Sequence, residues 1–308
     1  MGTPRALPLG RIPAHENVTI NYVDRNAHAT GVKLPISIKE SLVWAREALQ
    51  EACERPQFEA ELLLAYHLKK ERTYLLIHEN DSVESMEEFK KLIQRRAANE
   101  PYEYIVGSAS FYDIHLEVEE GVLIPRPETE ILIDLVAEII KKEHITRIAE
   151  IGVGSGAISV VLARKFPELR IIATDICDTP LKVAGKNIDT FCLSEQIELR
   201  KSNLIDDVPE ALELVVSNPP YIAEDFILKS NVVDYEPKEA LFGGRVGDEL
   251  LKEIILDVKA RNIKYLACEM GYDQKEPLQE FVNEIGVKSI KFYKDLAGFD
   301  RGFVIKFS

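Results

Sequence analysis

The stretch RIAEIGVGSGAISVVLARK, residues 147–165, limits the fold more than any other part of the chain. A short run of β-formers enters three glycines at alternate positions and then an apolar segment of helical length. The backbone must therefore turn sharply from strand to helix, through conformations that glycine adopts at little cost. The alternation recurs: LRIIATD (169–175), IELR (197–200), LELVVSN (212–218) and KYLACEM (264–270) each read as a buried strand, and helical stretches separate most of them. Parallel strands need such crossovers, so the spacing predicts an α/β fold with a doubly wound, Rossmann-like sheet. KSIKFYKDLAG and GFVIKF are joined by too short a link for a helix and should form an antiparallel C-terminal edge hairpin.

Upstream the character differs. Residues 1–33 carry prolines at 4, 8 and 13 and no sustained period, and read as a disordered or artificially appended extension. From Ser37 the sequence SIKE forms a capping box, with Leu42, Ala45 and Leu49 at helical spacing behind it. A second helix follows Pro56, with Phe58, Leu62, Leu63 and Tyr66 on one face, and a short one is expected around Leu75. SMEE (85–88) repeats the capping-box pattern before Phe89, Leu92, Ile93 and Arg96. Residues 34–107 thus read as a small N-terminal helical domain, suited to docking a partner. Residues 108–124 alternate as a β connector, and 125–308 form the sheet domain.

Composition narrows the function. The net charge of −14 weighs against binding to a nucleic-acid backbone, which needs clustered Lys and Arg. The four cysteines and six histidines are scattered without metal-ligand spacing, so reduced thiols and no metal are expected. No apolar run reaches the ~18 residues of a membrane span. A soluble, cytoplasmic, monomeric protein is expected.

Two motifs carry chemistry. Gly152, Gly154 and Gly156 let backbone approach a ligand closely, and Asp175 ends the next strand, where an acid can hold ribose hydroxyls. NAD and S-adenosylmethionine both fit that description. The second motif is VVSNPPYI (215–222). Pro219 and Pro220 lack N–H donors and cannot continue a ladder, which leaves a stiff turn rich in acceptors. Both motifs project beyond the carboxyl ends of strands, where open parallel sheets bind ligands. A dehydrogenase has no need of an acceptor-only turn there, whereas a methyltransferase acting on an NH2 group does.

The glycine loop together with NPPY is similar to the class I, S-adenosylmethionine-dependent N-methyltransferases, a group that includes DNA adenine methyltransferases. RRAANEPYEYIVGSASFY, GVLIPRPETE, YEPKEALFGG, CEMGYDQ and DLAGFDRG narrow the likeness. The chain resembles the PrmC/HemK family over roughly Ile36 to Phe307. IPRPETE followed about ninety residues later by SNPPYI is its most specific part. The resemblance implies a class I methyltransferase that methylates N5 of the glutamine in the Gly-Gly-Gln motif of class-one peptide chain release factors. S-adenosyl-L-methionine would be consumed and S-adenosyl-L-homocysteine released. A nucleic-acid amine N-methyltransferase, using the same NPPY on a flipped base, is the alternative.

The implied cofactor residues are Glu150, Gly152, Val153, Gly154, Ser155, Gly156, Asp175, Asn203, Leu204 and Asn218. Relatives often carry an aromatic to cover the adenine where this chain reads SNLI (202–205), so that duty would fall to Leu204 or Asn203. Asn218, Pro219 and Tyr221 are the expected catalytic residues, and Pro220, Arg126 and Glu128 join them in holding the substrate. Asn218 Oδ1 and the Pro219 carbonyl would accept the two amide N–H bonds, with Tyr221 against the amide plane. PRPETE also reads as a plain helix start, with Pro127 at its first position. YEPKEALFGG reads equally as a loop or as a wall of the substrate cleft.

Overall fold

The computed structural model describes residues 36–227 and 234–308, so the extension expected at 1–33 lies outside the described residues. The chain divides into two compact units, one ending at Gln94 and one beginning at Arg95.

In the first unit, α1 (Ile38–Leu49) opens as its sequence predicts. Ser37 Oγ accepts from Glu40 N, and the Glu40 side chain accepts from Ser37 N at 2.9 Å. Helices α2 (Pro56–Leu68), α3 (Arg72–Ile77) and α4 (Met86–Ala97) follow. Ile38, Ala45, Leu49, Leu63, Leu64, Leu75, Phe89 and Ile93 form the core. Two expectations fail. Tyr66 is exposed, because the buried stripe of α2 runs through Ala60, Leu63 and Leu64 instead. Ser85 sits at φ 50°, outside the extended region of a side-chain cap, and Glu88 N donates to its backbone carbonyl at 2.8 Å.

The second unit opens with α5 (Tyr102–Val106) and an antiparallel hairpin of β1 (Ser108–Phe111) and β2 (Ile114–Glu117). Next come α6 (Thr129–Glu143), β3 (Arg147–Ile151), α7 (Ala157–Lys165), β4 (Arg170–Asp175), α8 (Asp178–Thr190), β5 (Ile197–Lys201) and β6 (Leu214–Ser217). A short parallel pair, β7 (Ile222–Ala223) and β8 (Phe242–Gly244), leads to α9 (Glu249–Ala260) and β9 (Tyr265–Glu269). The unit ends with α10 (Lys275–Ile285), β10 (Ser289–Lys294) and β11 (Asp300–Lys306).

The main sheet has the order β10-β11-β9-β6-β3-β4-β5. Its five inner and far-edge strands, from β9 to β5, are parallel, and β11 and β10 close the other edge antiparallel, as the short link predicts. Strands buried on both faces alternate between two cores. Ile148, Leu214, Val216 and Ala267 meet α6, α7 and α8, while Ala149, Val215, Leu266 and Cys268 meet α9 and α10. The chain runs outward from β3 through β4 to β5 and then returns to the other side of β3 as β6. That reversal is the switch point at which an open α/β sheet forms a ligand crevice.

The edge hairpin depends on Gly302. A Cβ there would collide with the Cys268 carbonyl oxygen and with the ring of Tyr293. The carbonyl belongs to the ladder with β9 and has nowhere to move. Gly302→Ala should therefore destabilise this unit by about 1–3 kcal/mol, the usual scale of overpacking. A urea midpoint unchanged from wild type would show that β11 can shift outward without loss.

Candidate active site

The crevice at the switch point holds a cavity of about 300 Å³. One wall is the glycine loop. Gly152, Gly154 and Gly156 have φ of 73°, 54° and 84°, the left-handed region that a glycine enters most easily. Gly152 N and Val153 N both donate to Thr174 O at 2.9 Å, which pins the loop to the end of β4. Among the described residues, and beyond the immediate chain neighbours, no atom lies within 4 Å of the place a Cβ would take at Gly152 or Gly154. Side chains there would fill space that is left open for a ligand.

Among the described residues, three acids line the cavity: Glu150, Asp175 and Glu239. Asp175 Oδ2 accepts from Gly154 N at 3.3 Å and Oδ1 from Cys177 N at 3.0 Å, which fixes the carboxylate at the strand end. Burial raises its pKa, and those backbone donors work against the rise. Glu150 is 1% exposed and accepts from Ser159 N at 3.0 Å and from the Ser159 hydroxyl. Burial pushes its carboxyl up to about 8, against the Ser159 donors, with Asp175 adding a smaller push.

The opposite wall is the turn after β6. Ser217 Oγ donates to Ile151 O at 2.8 Å, so the ends of β6 and β3 are tied together. Asn218, Pro219 and Pro220 then line the cavity, and Asn218 Nδ2 donates to Thr129 Oγ1 at 3.1 Å. With Nδ2 committed to Thr129, Oδ1 is the atom Asn218 has left for a ligand. The turn is held from behind by YEPKEALFGG. Ile222 N donates to Leu241 O at 3.0 Å, and a Cβ on Gly243 would strike the Pro220 carbonyl and come within 2.9 Å of Tyr221 Cα. CEMGYDQ contributes Gln274, whose Nε2 donates to Tyr221 O at 2.8 Å.

Of the residues singled out from the sequence, Glu150, Gly152, Val153, Gly154, Ser155, Asp175, Asn203, Leu204, Asn218, Pro219, Pro220 and Arg126 line one cavity. Gly156, Tyr221 and Glu128 do not. Gly156 stands behind the loop against Ala184, where a Cβ would come within 3.4 Å. Tyr221 packs on the core beneath α9, with Arg301 and Glu269 beside its hydroxyl. Glu128 precedes α6 outside the lining. Arg126 ion-pairs with the buried Glu236 at 2.5 Å, which clamps PRPETE to the segment behind the turn.

Sequence reasoning missed several contributors. Ile176, 59% exposed, adds an apolar wall after Asp175. Buried Asn187 donates to Ser155 O at 2.8 Å and to Glu117 O at 3.0 Å, joining the glycine loop to β2. Thr129 is the partner of Asn218. Each depends on a long-range contact, and no local pattern announces it.

Glu150 gives this site a pH signature. Folding raises its proton affinity, so between the usual carboxylate range and about 8 the folded chain binds more protons than the unfolded one. Stability therefore falls as pH rises through that window. Glu150→Gln should flatten the decline of Tm between about pH 5 and pH 8 in the ligand-free protein. Parallel Tm profiles for the two proteins would mean that Glu150 stays ionised in the fold.

Comparison with known proteins agrees with this architecture. Residues 40–107 match the PrmC N-terminal domain, and residues 128–234 match the methyltransferase small domain. The release factor glutamine methyltransferase of Clostridium botulinum is 38% identical over 255 residues, 80% of this chain and 90% of the relative. That of Dictyoglomus turgidum is 37% identical over 271 residues, 86% of this chain and 96% of the relative. That of Coxiella burnetii is 34% identical over 282 residues, 88% and 99% of the two chains. Among solved structures, the N-terminal domain of human METTL16 in complex with SAH is similar at a TM-score of 0.51 and 20% identity, covering 80% of this chain and 94% of that one. The METTL16 catalytic domain in complex with a MAT2A 3'UTR hairpin reaches 0.53 at 20% identity, over 63% and 75% of the chains. At such identity these two structures show a common methyltransferase fold. The chain belongs to the release factor glutamine methyltransferase family.

Proposed function

We propose that this protein transfers a methyl group from S-adenosyl-L-methionine to the side-chain amide nitrogen, N5, of the glutamine in the Gly-Gly-Gln motif of class-one peptide chain release factors. Family membership supports the reaction and the substrate class. The observation that carries the reading for this chain is the turn Asn218–Pro220. Both prolines lack N–H groups and the Asn218 Nδ2 donor is held by Thr129, so acceptors are what this part of the cavity lining offers a ligand.

The cavity residues fit the cofactor. The open space above Gly152 and Gly154 admits its amino-acid end, and Asp175 stands where ribose hydroxyls can donate. Leu204 and Ile176 supply apolar surface for the adenine, with Asn203 beside them. When bound, S-adenosylmethionine supplies an electrophilic methyl group on a sulfonium. An amide nitrogen is a weak nucleophile because its lone pair is delocalised into the carbonyl, so the protein's task is alignment. Asn218 Oδ1 and the Pro219 carbonyl accept the two N–H bonds of the glutamine and aim the nitrogen at the methyl carbon. The same acceptors stabilise the positive charge that develops on nitrogen as the N–C bond forms and the C–S bond breaks. The surplus proton passes to water. Tyr221 anchors the turn from below, while Arg126 and Glu128 belong to the segment that borders the substrate's path.

The helical unit docks the body of the release factor in this reading. Leu76 and Ile77, 72% and 79% exposed at the end of α3, offer it an apolar contact. The enzyme acts as a cytoplasmic monomer without direct nucleic-acid contact. Among the described residues no helix is long and apolar enough to cross a membrane.

Purified release factor incubated with enzyme and cofactor should gain a single methyl on the Gly-Gly-Gln glutamine by mass spectrometry, with DNA and RNA unlabelled in parallel. Label entering only nucleic acid would transfer the chain to the alternative chemistry. Asn218→Ala should lower kcat by about 10²-fold, the scale of losing one preorganised polar contact to the developing charge. Leu76→Ser with Ile77→Ser should raise KM for the intact factor and leave a short Gly-Gly-Gln peptide unaffected. Equal changes for both substrates would confine the helical unit to a structural role.

A further inference from the structure

Two residues below the turn have no part in the chemistry so far. Thr129 begins α6, is buried, and accepts from Asn218 Nδ2 at 3.1 Å. Glu269 ends β9. Ser217 pairs with Cys268 in the parallel ladder of β6 and β9, so Asn218 and Glu269 stand next to each other at the carboxyl ends of these strands. Glu269 is 1% exposed, and its Oε1 has no hydrogen-bond partner among the described residues. Helix α6 packs on β9, and the Thr129 hydroxyl faces Glu269 and lowers its proton affinity.

A buried acid is costly unless its oxygens are hydrogen-bonded or paired with a cation. Here it resolves an ambiguity. A hydroxyl donates and accepts alike, so Thr129 alone cannot choose between the two ends of the Asn218 carboxamide. An ionised carboxylate only accepts. It accepts the hydrogen bond of the Thr129 O–H, which leaves the Thr129 lone pairs for an N–H donor. Asn218 must then turn its NH2 inward and its Oδ1 outward.

We propose that Thr129 and Glu269 are positioning residues for methyl transfer, forming a relay that decides which end of the Asn218 carboxamide meets the substrate. The proposal rests on the reading of Asn218 as acceptor for the glutamine amide. It also has a direction in pH. A protonated Glu269 donates to Thr129, Thr129 in turn donates to Asn218, and the carboxamide presents its NH2 group, which repels the substrate N–H. Burial raises the Glu269 carboxyl to about 7. Arg301 and Arg126 favour the carboxylate and Glu128 opposes it. Tyr221, Tyr293 and Cys268 share its surroundings.

Thr129→Val keeps the shape and removes the hydroxyl. We expect kcat to fall about tenfold, the scale of one lost hydrogen bond. The cofactor Kd, KM for release factor and Tm should stay near wild type, and Thr129→Ser should restore most of the rate. In an Asn218→Ala background Thr129→Val should cost nothing further, because both changes remove the same interaction. Wild-type kcat should decline below about pH 7, and Glu269→Gln, which no longer imposes a direction, should lower kcat and remove that step. Full kcat in Thr129→Val or Glu269→Gln, with Asn218→Ala impaired, overturns the relay and leaves the Asn218 reading intact. Full kcat in Asn218→Ala overturns both. A loss in Thr129→Val that serine does not rescue, or that persists beside Asn218→Ala, marks Thr129 as a packing residue and also overturns the proposal.

Discussion

The carboxyl edge of the sheet depends on where β6 stops. Two prolines follow Asn218 and deny the ladder its next donors, so the chain must leave the sheet at Ser217. The Ser217 hydroxyl then ties that point to the end of β3. Because the strand order reverses between β5 and β6, the loop leaving β3 and the turn leaving β6 emerge from neighbouring strand ends. The cavity is the space this reversal leaves. Its far side is kept from collapsing by glycines rather than by bulk. Gly243 and Gly247 lie so close to the backbone of residues 220–223 that any side chain would push the turn forward into the site. Rigidity here is a matter of backbone on backbone, which suits a reaction limited by alignment.

Charge separates the cofactors that the glycine loop alone leaves open. A dinucleotide brings phosphates, and a site for it needs cations or unopposed N–H groups. Among the described residues, this cavity is lined by Glu150, Asp175 and Glu239 with Arg126 as the one cation, and that is already paired with Glu236. Burial holds Glu150 and Asp175 above their ordinary proton affinities. A positively charged ligand would relieve both and favour their ionised forms, whereas a phosphate would aggravate them. The electrostatics therefore favour a cationic sulfonium cofactor with an ammonium group, on grounds independent of the family resemblance.

Legibility in the sequence followed the range of the interaction. Strands buried on both faces announce themselves as apolar runs, and β3, β4, β5, β6 and β9 lie within a residue or two of the segments read for them. Ser37 with Glu40 was readable because both partners of the cap lie within one turn. Ser85 with Glu88 has the same spelling, but Ser85 takes a positive φ and the cap does not form. Tyr66 failed similarly, since spacing shows which residues share a face without showing which of two apolar stripes the bundle buries. The turn that ends β6 was legible because proline declares its missing donor in the sequence itself.

What gives that turn its polarity was not legible. Asn218 has two chemically opposite ends, and nothing in NPPY says which one faces the ligand. Its partner Thr129 lies 89 residues away. Glu269 comes beside it only through the register of β6 with β9. PRPETE and CEMGYDQ could each be recognised as segments, yet the threonine of one and the glutamate of the other acquire meaning only beside a third segment, the one that carries Asn218. An acceptor-rich turn is a property of local sequence, while an oriented acceptor is a property of the fold.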